Sequence, residues 1–180
     1  GSTALSSGFI PAPGTQAQRA LGIDDSPAQF EADIQAKAHG EAAPRLAQAY
    51  AQAIGPALDA LAQHHGLPWQ VLTGFLYPGH SRHRMHAVPE KTGAGLMSRL
   101  LAAADASGVP VITEARVTQL FADETGCIHG LTYQPPDGGA ERLRCQVLLL
   151  ACNGFGGAPD LVRQLLPEMA DALYAGHVGN

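Results

Sequence analysis

The sequence predicts an α/β protein, more closely an α+β arrangement in which helices precede an antiparallel meander. Apolar residues recur at helical spacing through the first part of the chain and alternate in short runs from residue 109 onward. Turns rich in glycine separate those runs, as they do in β-hairpins. A last apolar run, residues 147–151, is continuous, which is typical of a central strand that is buried on both faces.

Length and composition exclude several classes of protein. The chain has 180 residues, of which 46% are hydrophobic and 15% charged, enough for one domain with its own core. A net charge of -5 argues against a nucleic-acid partner. No apolar run approaches the ~20 residues of a membrane helix, so we expect no membrane segment. The three cysteines have no CxxC spacing, which suits a reducing compartment, and we expect a cytoplasmic protein.

The first forty residues predict a loop followed by a helix. Residues 1–25 are punctuated by glycine, serine and proline and predict an ordered loop or a short strand. A helix then begins with Ser26 as its N-cap and Pro27 at its first position. Gln29 is placed to complete a capping box, and Gly40 is expected to end the helix.

Two further helices are predicted in the middle of the chain. Residues 42–65 carry apolar side chains at helical spacing, but a Gly-Pro pair ending in Pro56 should kink or split this helix. Residues 66–92 are rich in proline and glycine and predict connecting structure, with a short strand within 70–76. A helix follows at about 93–107.

The remainder predicts strands and a final helix. Turn signals at 124–126 and 136–139 favour two hairpins. We expect a short helix to begin at about residue 159. The predicted strands are residues 111–113, 115–123, 128–134 and 143–151.

Histidines and arginines alternate in residues 80–86. His80, His83 and His86 are spaced by three, but no carboxylate or thiolate lies at ligand spacing, and the neighbouring arginines repel a divalent cation. We therefore predict no metal site and assign no metal ligand. The segment is instead a solvated loop or has an anion-facing or interdomain role. No GxSxG nucleophile motif is present.

Four segments, in this order, resemble the FAD-dependent oxidoreductases typified by the flavoprotein subunits of fumarate reductase and succinate dehydrogenase. The likeness covers nearly the whole chain. One departure is Asn153, which replaces the first glycine of a late glycine pair. The matching segments are residues 1–8 (GSTALSSG), 84–95 (RMHAVPEKTGAG), 108–131 and 149–157 (LLACNGFGG).

The resemblance implies FAD as cofactor, and a parent enzyme that transfers hydride between a small-molecule substrate and the flavin. It implies no catalytic residue here, because the segments that carry catalysis in that family have no counterpart in the chain. In the parent enzyme we expect Arg84 to lie nearer the substrate or a domain interface than a metal site would allow. Val117 would pair its backbone with the adenine. The cofactor-binding residues implied are Ser2, Thr3, Ser7, Gly8, Val117, Ala151, Asn153 and Gly154.

The family's G-x-G-x-x-G unit and capping domain also have no counterpart, so we expect an internal part of a FAD-binding domain: helical insertion, meander and one central strand. Its partners would be the remainder of its own FAD-binding and capping domains. We expect the chain alone to bind FAD weakly or not at all. The expected divisions are 1–25 (cofactor-facing loop), 26–65 (helical), 66–92 (connecting), 93–158 (helix and meander) and 159–180 (C-terminal helix).

Two alternatives remain. The chain could be a free-standing, non-enzymatic αβ domain for binding or assembly, which the flavin absorbance of the parent protein would test. A flavoenzyme of the disulfide-reductase type is less consistent with the sequence, because it lacks that type's CxxxxC pair.

Overall fold

The computed structural model describes residues 1–177, which form two compact units, residues 1–103 and the residues from 104 onward. The end of the predicted C-terminal segment, residues 178–180, lies outside the described residues. The helices are α1 (Ser2–Leu5), α2 (Gln16–Ala20), α3 (Pro27–Lys37), α4 (Pro44–His65), α5 (Gly93–Ala106) and α6 (Pro159–Leu165). The strands are β1 (Ile10–Pro11), β2 (Gln70–Val71), β3 (Met85–Ala87), β4 (Arg116–Ala122), β5 (Ile128–Gln134) and β6 (Glu141–Arg144). Helices with two small antiparallel sheets confirm the predicted α+β class.

Helix α3 begins where the sequence predicts, but its capping box is only half formed. The Ser26 hydroxyl accepts a hydrogen bond from the Gln29 backbone N–H at 3.2 Å. The Gln29 side chain donates to Asp33 instead of returning to the cap. A complete capping box lies one helix earlier, between Thr15 and Gln18 at the start of α2.

Helix α4 is continuous for 22 residues, so the predicted split at Pro56 is wrong. Its buried face carries mostly small residues, among them Gly55, and this face packs against the rest of the first unit. A Cβ added to Gly55 would lie 2.3 Å from the Pro13 carbonyl oxygen. The close packing on this face offsets the hydrogen bond that Pro56 cannot donate.

The opening segment is more regular than predicted. Residues 1–25 contain α1, β1 and α2 rather than a loop with at most a short strand. Strand β1 joins a small antiparallel sheet in the order β1-β3-β2, in which His86 of the central strand lies opposite Ile10 and Val71. The adjacent core contains Leu67, Val88 and Leu96.

The second sheet confirms the predicted meander. Strands β4, β5 and β6 are consecutive and antiparallel, with Arg116 opposite Gln134 and Gly130 opposite Arg144. The register shifts twice between β4 and β5, as it does at β-bulges. The two predicted hairpin turns connect these strands.

One predicted strand does not form, and another is shorter than predicted and begins earlier. Residues 111–113 have no regular structure, and the last strand of the sheet is Glu141–Arg144 rather than 143–151. Residues 147–151 pair with no strand among the described residues, and Val147 and Leu149 are each 84% exposed. A strand that is buried on both faces needs neighbours on both sides, and the described part of the chain supplies none.

None of the helices within residues 1–177 combines the length and the apolar character needed to cross a membrane.

Candidate functional site

The opening loop, residues 1–8 with the single-turn helix α1, folds back on itself and packs on the start of helix α5. The Ser6 carbonyl accepts a hydrogen bond from the Gly93 N–H at 2.7 Å. The Ser6 hydroxyl donates to the Thr3 carbonyl at 2.7 Å and accepts from the Gly8 N–H at 3.0 Å. These bonds fix the loop through its backbone and through Ser6, and they leave the Thr3 and Ser7 side chains exposed.

Glycine is required at both sides of this contact. Gly8 is buried and has φ +66°, a backbone conformation that favours glycine. A Cβ on Gly8 would lie 2.9 Å from the Gly93 Cα, and one on Gly93 would lie 1.8 Å from the Thr3 carbonyl oxygen. The absence of a side chain at both positions therefore lets the loop lie against the helix, with Thr3 and Ser7 exposed.

Strand β4 places Val117 at the edge of the second sheet. The strand order β4-β5-β6 leaves the outer edge of β4 without a strand partner among the described residues. The Val117 side chain is 52% exposed. Backbone N–H and C=O groups at a strand edge can pair with any extended row of donors and acceptors, including the edge of a planar ring.

Residues 151–154 form an exposed turn after the apolar run. Asn153 has φ +66°, in the left-handed region. Asparagine is among the few residues other than glycine that adopt this conformation readily. The structure thus explains the replacement of glycine by Asn153. A Cβ on Gly154 would have no atom within 4 Å, so the space beside the turn is open.

The eight residues implied by the resemblance form two groups. Ser2, Thr3, Ser7 and Gly8 lie in the first unit, and the Ser6 contacts described above bring them together. The second unit contains the edge residue Val117 and the turn that carries Ala151, Asn153 and Gly154. The first group offers exposed hydroxyls on an ordered segment, and the second group, taken by itself, offers a free strand edge and open space beside Gly154.

Comparison with protein families decides the family. Residues 1–180 match the model of a family described as FAD binding domain. The chain belongs to this family. As a FAD binding domain it resembles urocanate reductase of Eggerthella lenta, with 25% identity over 177 residues. The match covers 97% of this chain and 29% of that protein, so the chain spans less than a third of its curated relative.

Solved structures share the fold of this FAD binding domain. An open conformation of a flavocytochrome c3 fumarate reductase superposes with a TM-score of 0.86 at 20% identity, over 99% of this chain and 32% of that one. The 3-ketosteroid-Δ4-(5α)-dehydrogenase of Rhodococcus jostii RHA1, solved with 4-androstene-3,17-dione, gives 0.80 at 23% identity, over 99% and 44%.

Arg84 lies inside the first unit of this FAD binding domain, where its partners are protein groups. The expectation that it lies nearer the substrate or a domain interface in the parent enzyme stays a prediction. The Arg84 side chain is fully buried. Two of its nitrogens donate to Asp25 at 2.8 and 2.9 Å, and the third donates to Asp33. The guanidinium also lies 4.7 Å from the centre of the Phe30 ring. Arg84 thereby joins β3 to α3 and to the loop that precedes it.

The carboxyl group of Asp33 is ionised well into the acidic range. Burial raises its pKa, but hydrogen bonds from Arg84 and from the backbone and side chain of Ser81 outweigh burial and lower the pKa to about 2. Asp33 is thus ionised at neutral pH, and its negative charge lies against the positive charge of Arg84.

His86 is the buried partner of Thr15. Its Nδ1 lies 2.8 Å from the Arg84 carbonyl oxygen, which can only accept, so Nδ1 carries the proton. Nε2 therefore accepts from the Thr15 hydroxyl, at 2.7 Å. Burial holds the pKa of His86 below its usual value. Both ring nitrogens form hydrogen bonds with protein groups, so His86 has a structural role in the interior of the first unit.

The structure also brings together Asp123, Cys127 and His129, which the sequence reasoning missed. One potential ligand atom from each residue lies within 4.8 Å of the other two. The signal in the sequence was the spacing D-x3-C-x-H across the predicted turn at 124–126.

Proposed function

We propose that this FAD binding domain belongs to an oxidoreductase that transfers hydride between a small-molecule substrate and FAD. The observation that carries the proposal is the family match over residues 1–180. The likeness to urocanate reductase, itself named as a reductase, supports an enzymatic parent. Bound FAD supplies the hydride chemistry, and the protein supplies binding, orientation and electrostatics.

The opening loop would hold the cofactor through hydroxyl groups. Thr3 and Ser7 are exposed on a loop that Ser6, Gly8 and Gly93 fix from behind. A hydroxyl can donate to a phosphate oxygen or accept from a ring N–H. Because the loop is already ordered, binding would not cost the entropy of ordering it.

The second unit would hold the cofactor through its backbone. Val117 lies on the free edge of β4, where main-chain groups suit the hydrogen-bonding edge of adenine. Ala151, Asn153 and Gly154 form an exposed turn with open space beside Gly154. Such a turn admits a ligand close to the backbone.

The apolar run at 147–151 supports the expectation of a larger parent domain. Val147 and Leu149 are each 84% exposed and Leu150 is 63% exposed, although the run is continuously apolar. We infer that other segments of the FAD-binding domain cover this run, since the chain spans 29% of urocanate reductase. The remainder of that domain and a capping domain would then be its partners.

We propose a cytoplasmic location for the parent protein. Cys127, Cys145 and Cys152 are all free thiols in the structure. Free thiols persist in reducing compartments and tend to pair in oxidising ones. Fractionation of cells that produce the tagged protein, with a cytoplasmic marker enzyme alongside, tests this location.

The test of the proposed function is the flavin content of the parent protein. We expect the purified protein to show flavin absorbance and to release FAD on denaturation. Ser7→Ala should weaken FAD binding by roughly 2–10-fold, the effect of one lost hydrogen bond. Ser98→Ala, which changes an exposed serine on α5, is the matched control and should leave binding unchanged.

Absence of flavin, together with no stabilisation by added FAD, would favour the non-enzymatic binding or assembly domain. The chain of 180 residues provides a second test. We expect it to bind FAD weakly or not at all on its own, because no G-x-G-x-x-G loop is present to hold the pyrophosphate. A sub-micromolar Kd for the chain alone would contradict this expectation.

A further inference from the structure

The turn between β4 and β5, together with the start of β5, carries three side chains that are suited to a metal ion. The His129 Nε2 lies 2.6 Å from the Asp123 Oδ2, and the Cys127 Sγ completes a group whose atoms lie within 4.8 Å of one another. All three residues are exposed. Imidazole, thiolate and carboxylate are the protein ligands that Zn²⁺ takes.

The hydrogen bonds that close the turn explain the position of Asp123 but not those of the His129 ring and the Cys127 thiol. The Asp123 Oδ1 accepts from the Thr125 N–H and hydroxyl and from the Cys127 N–H, at 2.9, 2.6 and 3.0 Å. These bonds close the turn without using Oδ2, His129 or the Cys127 thiol. The turn therefore fixes the carboxylate and leaves its second oxygen directed to His129.

We propose that Asp123, Cys127 and His129 bind one zinc-like divalent cation. The cation would replace the proton shared by Asp123 and His129 and would bind the Cys127 thiolate, with the fourth position taken by water. The charges balance, because one carboxylate and one thiolate together offset a divalent ion. This proposal does not depend on the proposed oxidoreductase function.

The side chains need only a small adjustment to form such a site. Zinc bonds of ~2.0–2.3 Å in a tetrahedron place ligand atoms roughly 3.3–3.7 Å apart. The Asp123 to His129 distance of 2.6 Å must therefore widen by about 0.7 Å. The Cys127 sulfur, which lies within 4.8 Å of both atoms, must come to roughly 3.5 Å from each. Exposure of 59% for the His129 side chain and 39% for that of Asp123 leaves room for both changes.

The charges of Asp123 and Arg144 determine how strongly a cation is attracted to the site. Hydrogen bonds, first from the Thr125 hydroxyl and then from His129, hold the pKa of Asp123 well below its usual range, so the carboxylate is ionised at neutral pH. Arg144 and Cys145 line a cavity of about 550 Å³ with His129. The charge of Arg144 opposes a cation bound at His129, so the charges of the Asp123 carboxylate and the Cys127 thiolate must outweigh it.

The experiment is a zinc titration of the purified protein near neutral pH, with a chromophoric chelator as competitor and a reductant that contains no thiol. We expect one zinc ion per chain. Cys127→Ser and His129→Gln should each weaken binding at least tenfold, because each removes a ligand, while thermal unfolding confirms that both variants are folded. Cys152→Ser and His65→Gln, which change an exposed cysteine and an exposed histidine elsewhere, should bind like the wild type.

Cobalt provides a second readout. Co²⁺ bound to the wild type should show thiolate-to-metal charge-transfer absorption, and Cys127→Ser should lose it. The proposal is overturned if the wild type retains no zinc against the chelator, or if Cys127→Ser and His129→Gln bind as tightly as the wild type. An equal loss in Cys152→Ser would also overturn it, since binding would then depend on thiols in general.

Discussion

Gly8 and Gly93 approach so closely that neither position can carry a side chain. A Cβ on Gly8 would lie 2.9 Å from the Gly93 Cα, and the Ser6 carbonyl accepts from the Gly93 N–H at 2.7 Å. Helix α5 is thereby the support on which the opening loop rests. The positions of Thr3 and Ser7, the hydroxyls proposed to face the cofactor, depend on this contact.

The first prediction is that Gly93→Ala displaces the opening loop. The new Cβ would lie 1.8 Å from the Thr3 carbonyl oxygen and 2.7 Å from that of Ser6, and backbone atoms cannot move aside as a flexible side chain does. We expect a loss of about 2–3 kcal/mol in the free energy of unfolding, measured in urea, and weaker FAD binding by the parent protein. Gly74→Ala is the control, because its Cβ would meet nothing within 4 Å. Equal stability of the two variants would contradict the predicted contact.

The second prediction concerns the buried charges. Arg84→Met should destabilise the protein by about 3–5 kcal/mol, because it leaves the fully buried Asp25 carboxylate without its partner. Arg99→Met removes an arginine from an exposed ion pair with Glu90 and should change stability little. Urea unfolding of both variants checks the comparison. A similarly small loss of stability in both variants would show that the buried ion pairs stabilise the protein no more than the exposed pair does.

Local signals in the sequence were enough to predict helices α3 and α5 and the meander. Ser26 with Pro27 marks a helix start, and alternating apolar residues between glycine turns mark hairpins, whatever surrounds them. Residues 147–151 show the opposite case. Their continuous apolar pattern predicts a strand that is buried on both faces. Such a strand forms only beside neighbouring strands, and the pattern does not show whether those neighbours are present.

The candidate site was predictable only in part. The resemblance supplied the opening loop and the turn at Asn153, and φ +66° at Asn153 explains why asparagine can stand there. The interior role of Arg84 was not predictable, because its partners Asp25 and Asp33 lie 59 and 51 residues away in the sequence. Local sequence patterns do not predict contacts between residues that are so far apart in the chain.

The third prediction is an acid-dependent loss of stability that depends on Asp33. Its pKa is about 2 in the folded protein against a usual 3.8, so the unfolded chain binds the proton more readily. The stabilisation is present above about pH 4 and is lost as the pH falls toward 2. Asp33→Asn should therefore be less stable than the wild type at pH 6, by about 1–2 kcal/mol, and this difference should shrink in acid. A difference that stays constant from pH 6 to pH 2 would contradict the role of the Asp33 charge.

The last prediction concerns His86 and Thr15. Burial lowers the pKa of His86 in the folded protein, so the unfolded chain, with an imidazole pKa near 6.5, takes up a proton that the folded protein resists. Stability is therefore complete above about pH 6.5 and is lost as the pH falls below it. Protonation would also turn Nε2 into a donor and force the Thr15 hydroxyl to give up its present bond to that atom. NMR of the imidazole should show that His86 titrates below the 6.5 of a free imidazole, with the proton of its neutral form on Nδ1. A His86 that titrates at or above pH 6.5 would show that the Thr15 contact does not hold the neutral form.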